Sequence, residues 1–302
     1  MKLLSDHILD KCLNEMNIGI IGLGLIGGSM AIDLRRRGHA GTLLGVDRDP
    51  VNGAAAEKIG LVDRVVPLRE CVLGSDVIIV AVPAGAAVEI IPEVLDLLQE
   101  LSDAGSPEKT VMDVCSTKMH IARAVCDHPM RQRYVASHPM SGTEYSGPWA
   151  ALPGLFDGRA CIICDASDSA PDAVKAVEDI YKCLDMRIVH MDSQNHDVHT
   201  AYISHFSHVI SFALALTVLE KEKDDKHIFD LASGGFSSTV RLAKSSADMW
   251  TPILLQNRDN VLHVMDTYMD MLEDFRKAMA DSDEGALRRL IEDANRIRRI
   301  IR

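Results

Sequence analysis

The chain is poor in aromatic side chains, which make up only 4% of its 302 residues. Aliphatic packing must therefore build the core, helped by 14 methionines whose flexible thioethers fill irregular gaps. A surplus of positive charge is missing too: 32 lysines and arginines face 44 aspartates and glutamates, a formal net charge of -12. Such a surface repels phosphates, which argues against general nucleic-acid binding, while an anionic small molecule could still be held by a few focused cations. Disulfide patterning is absent as well. Seven scattered cysteines, an odd number, suit reduced thiols in a cytoplasm. The single CxxC, Cys161 to Cys164, sits inside GRACIICD, which reads as a buried strand, so packing is expected there rather than metal or redox chemistry. No apolar run is expected to reach membrane-spanning length. The opening MKLLSDHILDKCLNEM carries acidic residues and no signal-peptide pattern, and a short amphipathic lead-in helix is expected over 1–16.

What is present is ordinary for a soluble globular protein, 47% hydrophobic and 25% charged residues, in a chain long enough for two domains. From Ile18 onward short β-branched runs alternate with helical segments. NIGIIG, TLLGVD, DVIIVAVP, TVMDV and YVASHP read as strands, and RACIICD and RIVHMD extend the same sheet. This alternation predicts an α/β domain, a Rossmann-type doubly wound parallel sheet, over residues 17–190. After Asp192 no strand is expected. A long helix through NHDVHTAYISHFSHVISFALALTVLEKEK, a broken region around SGGFSST and two further helices, from about Trp250 to Ala280 and from Asp283 to Arg302, predict an all-helical domain over 191–302.

GLGLIG, residues 22–27, is a GxGxxG between a strand and a helix. Gly22 permits the tight turn, Gly24 lets the backbone of Leu25 and Ile26 approach a pyrophosphate, and Gly27 allows close helix–strand packing. Asp47 ends the next strand, where a carboxylate bonds the ribose hydroxyls. It would repel the extra phosphate of NADP, which favours NAD; the neighbouring Arg48 weakens that preference. Val82 and Pro83, in AVPAG, turn over the same groove.

In open parallel sheets ligands bind beyond the carboxyl ends of the strands. DVCSTK and SHPMSGTEYSG fall at such ends, bringing Ser116 and His138 towards the nicotinamide end of the groove. Pro139 fixes His138 in extended backbone. A histidine titrates near operating pH and can accept a hydroxyl proton as hydride leaves the adjoining carbon. The blander possibilities are a satisfied strand-end histidine at 138 and a helix N-cap at Ser116. His196, His199, His205 and His208 have helical spacing but no HExxH partner, and read as surface or substrate-facing groups, with no metal expected.

These segments, with SHFSH (204–208) and ASGGFSSTVRLAKSSADMW (232–250), resemble the prephenate dehydrogenase family of tyrosine biosynthesis, from Ile18 to about Asp274. The resemblance implies a dinucleotide-binding domain coupled to a helical domain that makes a homodimer. It gives His138 the proton of the prephenate ring hydroxyl and makes Ser116 its orienting partner. It implies that Arg241 holds a substrate carboxylate, with Ser204 and His208 near the substrate side chain and Glu144 at the mouth. Gly234 and Gly235 match a turn beside the substrate, and Trp250 a tryptophan near the pocket, from this chain or its partner. Cys115 stands where the family usually has glycine, and Ser141 where alanine is common. Neither a fused chorismate mutase domain nor an ACT domain is expected.

Three other functions remain open on these residues: an arogenate or dual-substrate dehydrogenase on the same scaffold, a non-catalytic NAD-binding dimer, and a 3-hydroxyacid dehydrogenase using Lys244.

Overall fold

The computed structural model describes residues 16–223 and 227–300. The expected lead-in helix falls outside them except for Met16, which opens the first strand. Eight strands form one sheet: β1 Met16–Ile21, β2 Ala40–Val46, β3 Arg64–Val65, β4 Val77–Val80, β5 Thr110–Asp113, β6 Tyr134–Pro139, β7 Ala160–Cys164 and β8 Arg187–Met191. Their spatial order is β3-β2-β1-β4-β5-β6-β7-β8. Neighbours run parallel except β6 and β7, which pair antiparallel with His138 opposite Ile162. The doubly wound sheet is therefore mostly, not wholly, parallel.

The first helices are α1 Leu25–Arg36, α2 Pro50–Lys58, α3 Leu68–Gly74 and α4 Ala84–Asp103. Next come α5 Met119–Val125, α6 Pro171–Cys183, α7 Ser193–Thr200 and α8 Phe206–Glu222. The last are α9 Gly234–Thr239, α10 Ala247–Gln256, α11 Arg258–Ala280 and α12 Glu284–Ala294. Runs such as VIIV in β4 are buried at every position because helices cover both faces. On one face Ile18 and Ile20 pack with Met30 and Leu34 of α1 and Val177 and Ile180 of α6. On the other, Ile78 and Val80 meet Ile91 and Val94 of α4, Ile121 of α5, and Trp250 and Ile253 of α10. The second core thus takes in a helix from the C-terminal half.

The region after the sheet departs from expectation in three places. Residues Gly234 and Gly235 open α9, with no left-handed backbone at either, where a turn was expected. Asn257, at φ −104°, breaks what was read as one helix into α10 and α11. The run Ser193–Glu222 is continuous and, by length and composition, apolar enough to span a bilayer, so the expectation that no run approaches that length was wrong. Its first turns, however, bury His196, Asp197, Thr200 and His205 inside the protein.

Candidate active site

The sheet brings Gly22, Asp47, Val82, Ser116 and His138 to one edge, because β1, β2, β4, β5 and β6 all run in the same direction. At the end of β1, Gly22 adopts φ +98°, and a Cβ there would lie 2.5 Å from the carbonyl oxygen of Ala81. A Cβ on Gly27 would lie 2.2 Å from the carbonyl of Gly22, so only glycine lets α1 pack this tightly on its own turn. Gly24, by contrast, faces open space within 4 Å. No side chain caps α1, whose first-turn amides, Leu25 and Ile26 among them, have no intrahelical acceptor. An uncapped helix start beside an open glycine fits a dinucleotide pyrophosphate.

Asp47 accepts from the amides of Leu23 at 3.0 Å and Asp49 at 2.9 Å. These fix the carboxylate and leave acceptor positions for ribose hydroxyls. Arg48 is exposed. Val82 is half-buried, its carbonyl contacted by the Cys115 thiol, and Pro83 lies exposed ahead of α4.

Between β5 and β6 the backbone ladder stops at Val135, and side chains take over. Asp113 accepts from the Tyr134 hydroxyl at 2.7 Å and the Ser137 amide at 3.1 Å, and it pairs with Lys118. The Lys118 ammonium also donates to the Ser137 carbonyl at 2.5 Å. Asp113 and Lys118 are both fully buried. Burial alone would push Lys118 down, but Asp113 leaves its pKa raised.

His138 follows directly. Its Nδ1 lies 2.9 Å from Nε2 of His196, whose Nδ1 lies 2.8 Å from the Asp197 carboxylate. No group among the described residues bonds His138 Nε2, and that atom is not sealed from solvent. Burial first, then His196, Lys118 and His205, hold His138 well below the ordinary histidine range, so the ring is neutral.

Ser116 is half-buried and does not cap α5. The helix starts three residues later, and its cap comes from α7: Asp197 accepts from the amides of Lys118 at 2.8 Å and Met119 at 2.9 Å.

The remaining candidates lie across the cleft. A π-helical turn, Ala201–His205, joins α7 to α8 and carries Ser204 and His205. His208 donates from Nδ1 to the Ser204 carbonyl at 3.1 Å and stacks on Trp250 at 3.4 Å between ring centroids. Trp250 is buried within this chain. His205 meets the edge of Trp250, and Asn257 bridges it to Asp197, donating to the Asp197 carbonyl at 2.6 Å and lying 3.0 Å from His205 Nδ1. Burial pushes His205 down to about 4. At the rim Arg241, 54% exposed, pairs with Glu144 at 3.4 Å. Gly234 and Gly235 lie on exposed α9, where the carbonyl of Gly235 accepts from the Thr239 hydroxyl at 2.9 Å. Lys244 is exposed.

Among the buried groups, sequence reasoning missed Asp113, Lys118, Asp197 and Asn257, and of the two alternatives it held for His196 and His205, surface or substrate-facing, burial removes the first. A legible signal existed for Asp197 alone, an acid beside a histidine near the start of a long helix. Cys161 and Cys164 are buried in β7 with their thiols pushed up by burial. The described residues contain no group of three or more side chains able to hold a metal.

Comparison with known proteins gives a consistent picture. Residues 30–190 match the family model "Prephenate dehydrogenase, nucleotide-binding domain", and 192–293 match "Prephenate dehydrogenase, dimerization domain". The chain is 30% identical over 287 residues to the prephenate dehydrogenase of Bacillus subtilis, covering 93% of this chain and 76% of that protein. It superimposes on the A. aeolicus prephenate dehydrogenase in complex with hydroxyphenyl propionate and NAD+ with a TM-score of 0.82 at 26% identity, covering 96% and 99% of the two chains. It is similar also to Synechocystis arogenate dehydrogenase, with a TM-score of 0.74 and 28% identity, covering 94% and 99%.

Proposed function

Because this chain belongs to the prephenate dehydrogenase family, we propose that it oxidatively decarboxylates prephenate to 4-hydroxyphenylpyruvate and CO2, reducing NAD to NADH, in tyrosine biosynthesis. The observation that carries this reading is His138: a neutral imidazole at the nucleotide-binding edge, its Nε2 without a partner among the described residues. NAD, which the open turn at Gly24 and the uncapped start of α1 would hold, would supply the hydride acceptor. Everything else falls to the chain's own side chains. His138 accepts the proton of the ring hydroxyl as hydride leaves the same carbon. Loss of CO2 then makes the ring aromatic, and the proton returns to the phenolate oxygen, so atoms and charge balance without a metal or a covalent nucleophile. Ser116, on the loop between β5 and α5, orients the hydroxyl. His208 and Ser204 face the side chain, held by the stack on Trp250.

Prephenate is a dianion and the protein is acidic overall, so a local cation is required. Arg241 suits a carboxylate because its planar fork donates two parallel bonds. Its link to Glu144 is a rim-exposed pair that a substrate carboxylate can replace. Arg241→Ala should raise KM for prephenate roughly 10- to 100-fold, the worth of a hydrogen bond to a charged group, with a smaller change in kcat. An unchanged KM would remove the clamp role.

NAD is favoured over NADP by Asp47. The domain assignment follows the same division: residues 17–190 hold the cofactor, and 191–302 complete the substrate site and pair two copies. Dimerisation is supported by the helical half itself. Its own buried cluster contains only Ala201, Phe206, Val261 and Val264, while Leu216, Leu255, Met269, Leu272 and Met279 are exposed. The free thiols suit a cytoplasmic location.

Arogenate, which carries an amine in place of the keto group, is the alternative substrate, and Glu144 is an acid that could meet that amine. Steady-state kcat/KM with prephenate and arogenate, each with NAD and NADP, decides both questions. Preference for prephenate with NAD is expected; a strong arogenate preference would overturn the substrate assignment.

A further inference from the structure

Two polar side chains, His196 and Asp197, stand in line behind the proposed base, and the donor and acceptor roles along that line can be deduced. A carboxylate only accepts, so at 2.8 Å from Asp197 the Nδ1 of His196 must donate. A neutral His196 then presents a lone pair at Nε2. The nitrogen facing it at 2.9 Å, His138 Nδ1, must carry a hydrogen. A neutral His138 with hydrogen on Nδ1 has its lone pair on Nε2, the atom with no partner among the described residues.

We propose that His196 and Asp197 are positioning residues that lock His138 in the tautomer whose Nε2 accepts the substrate proton. The inference deepens the reading of His138 as base and rests on it for its effect on turnover.

The surroundings favour the neutral forms. His138 and His196 are both buried, and burial lowers both; the Lys118 ammonium on the loop after β5 lowers each further. Burial works to raise Asp197, but His196 and the amides of Met119 and Lys118 hold it below the ordinary carboxylate range. The carboxylate is itself immobilised. One oxygen receives His196 and the Lys118 amide, the other the Met119 amide, so the start of α5 fixes the end of the line. Once His138 takes a proton, its Nδ1–H still points at His196, and the charge rests on His138 with Asp197 on the far side of the His196 ring. His196 and Asp197 orient and stabilise without exchanging a proton with substrate.

The test uses three variants of the intact chain. His196→Gln keeps the pattern, since its amide oxygen can accept from His138 Nδ1 while its NH2 donates to Asp197; most of the wild-type kcat should survive. His196→Leu removes the acceptor and should lose kcat on the order of 10²- to 10⁴-fold, the range for a mispositioned general base, with KM little changed. Asp197→Asn can offer an N–H to His196 Nδ1, reversing both bonds and moving the hydrogen of His138 to Nε2. Nitrogen-15 NMR of labelled histidines in the free protein should show that reversal. Equal losses in His196→Gln and His196→Leu, or a wild-type His138 protonated on Nε2, would overturn the proposal. The NMR needs no substrate, so it stands or falls separately from the assignment of prephenate. Should His196→Leu fail to fold, His196→Gln and the wild-type tautomer still decide.

Discussion

His138→Asn is expected to lower kcat on the order of 10²- to 10⁴-fold while the nicotinamide cofactor still binds. Asparagine roughly keeps the polar outline of imidazole, and its amide can still bond His196, but it cannot accept a proton. Loss of turnover with retained binding is therefore the signature of a missing base rather than a collapsed site. The neutral state of His138, imposed first by burial and then by His196, Lys118 and His205, keeps its lone pair available at neutral pH. Cofactor titration by protein fluorescence alongside steady-state rates would check both halves. Turnover near that of the unaltered chain would exclude His138 as the base.

The second large effect concerns stability. Asp113→Ala strands the Lys118 ammonium in a fully buried position and leaves the Tyr134 hydroxyl and the Ser137 and Cys115 amides without their acceptor. Removing one partner of a buried pair costs about 3–5 kcal/mol. Urea unfolding should show a midpoint far below that of the unaltered chain, or no folded protein. Adding Lys118→Met should recover part of the loss, because the uncompensated charge goes while the orphaned hydroxyl and amides remain. A midpoint unmoved in Asp113→Ala would mean that water or another group solvates Lys118.

How far the sequence revealed this protein depends on whether the controlling contacts are local. β-Branched runs announce their strands because a parallel sheet buries both faces, and GLGLIG announces its turn because backbone clashes exclude other residues at Gly22 and Gly27. β3 is only two residues long and borrows its order from β2, so no periodicity marks it. The cap of α5 comes from a residue 78 positions further on, which local capping rules cannot find. Burial of both His196 and His205 was not legible for a geometric reason. At about 3.6 residues per turn, His196 and His205 are two and a half turns apart and belong on opposite faces. The π turn between them widens the helix, and both end up buried. The fold was thus legible, as was the gathering of Gly22, Asp47 and His138 at one edge of the sheet, whereas the line of support behind the histidine was not.

The Asp197 cap has a mechanical consequence. The same carboxylate closes a helix of the sheet half from the first helix of the other half, and Gln256 of α10 accepts from Thr117 at 2.5 Å while donating to the Ala84 carbonyl at 3.0 Å. With Trp250 and Ile253 sunk in the core beneath α4, the described residues clamp the two halves together rather than leaving them to swing like jaws. The exposed pair of Arg241 and Glu144 at the rim is worth little in water, so the rim can yield while this buried back wall holds.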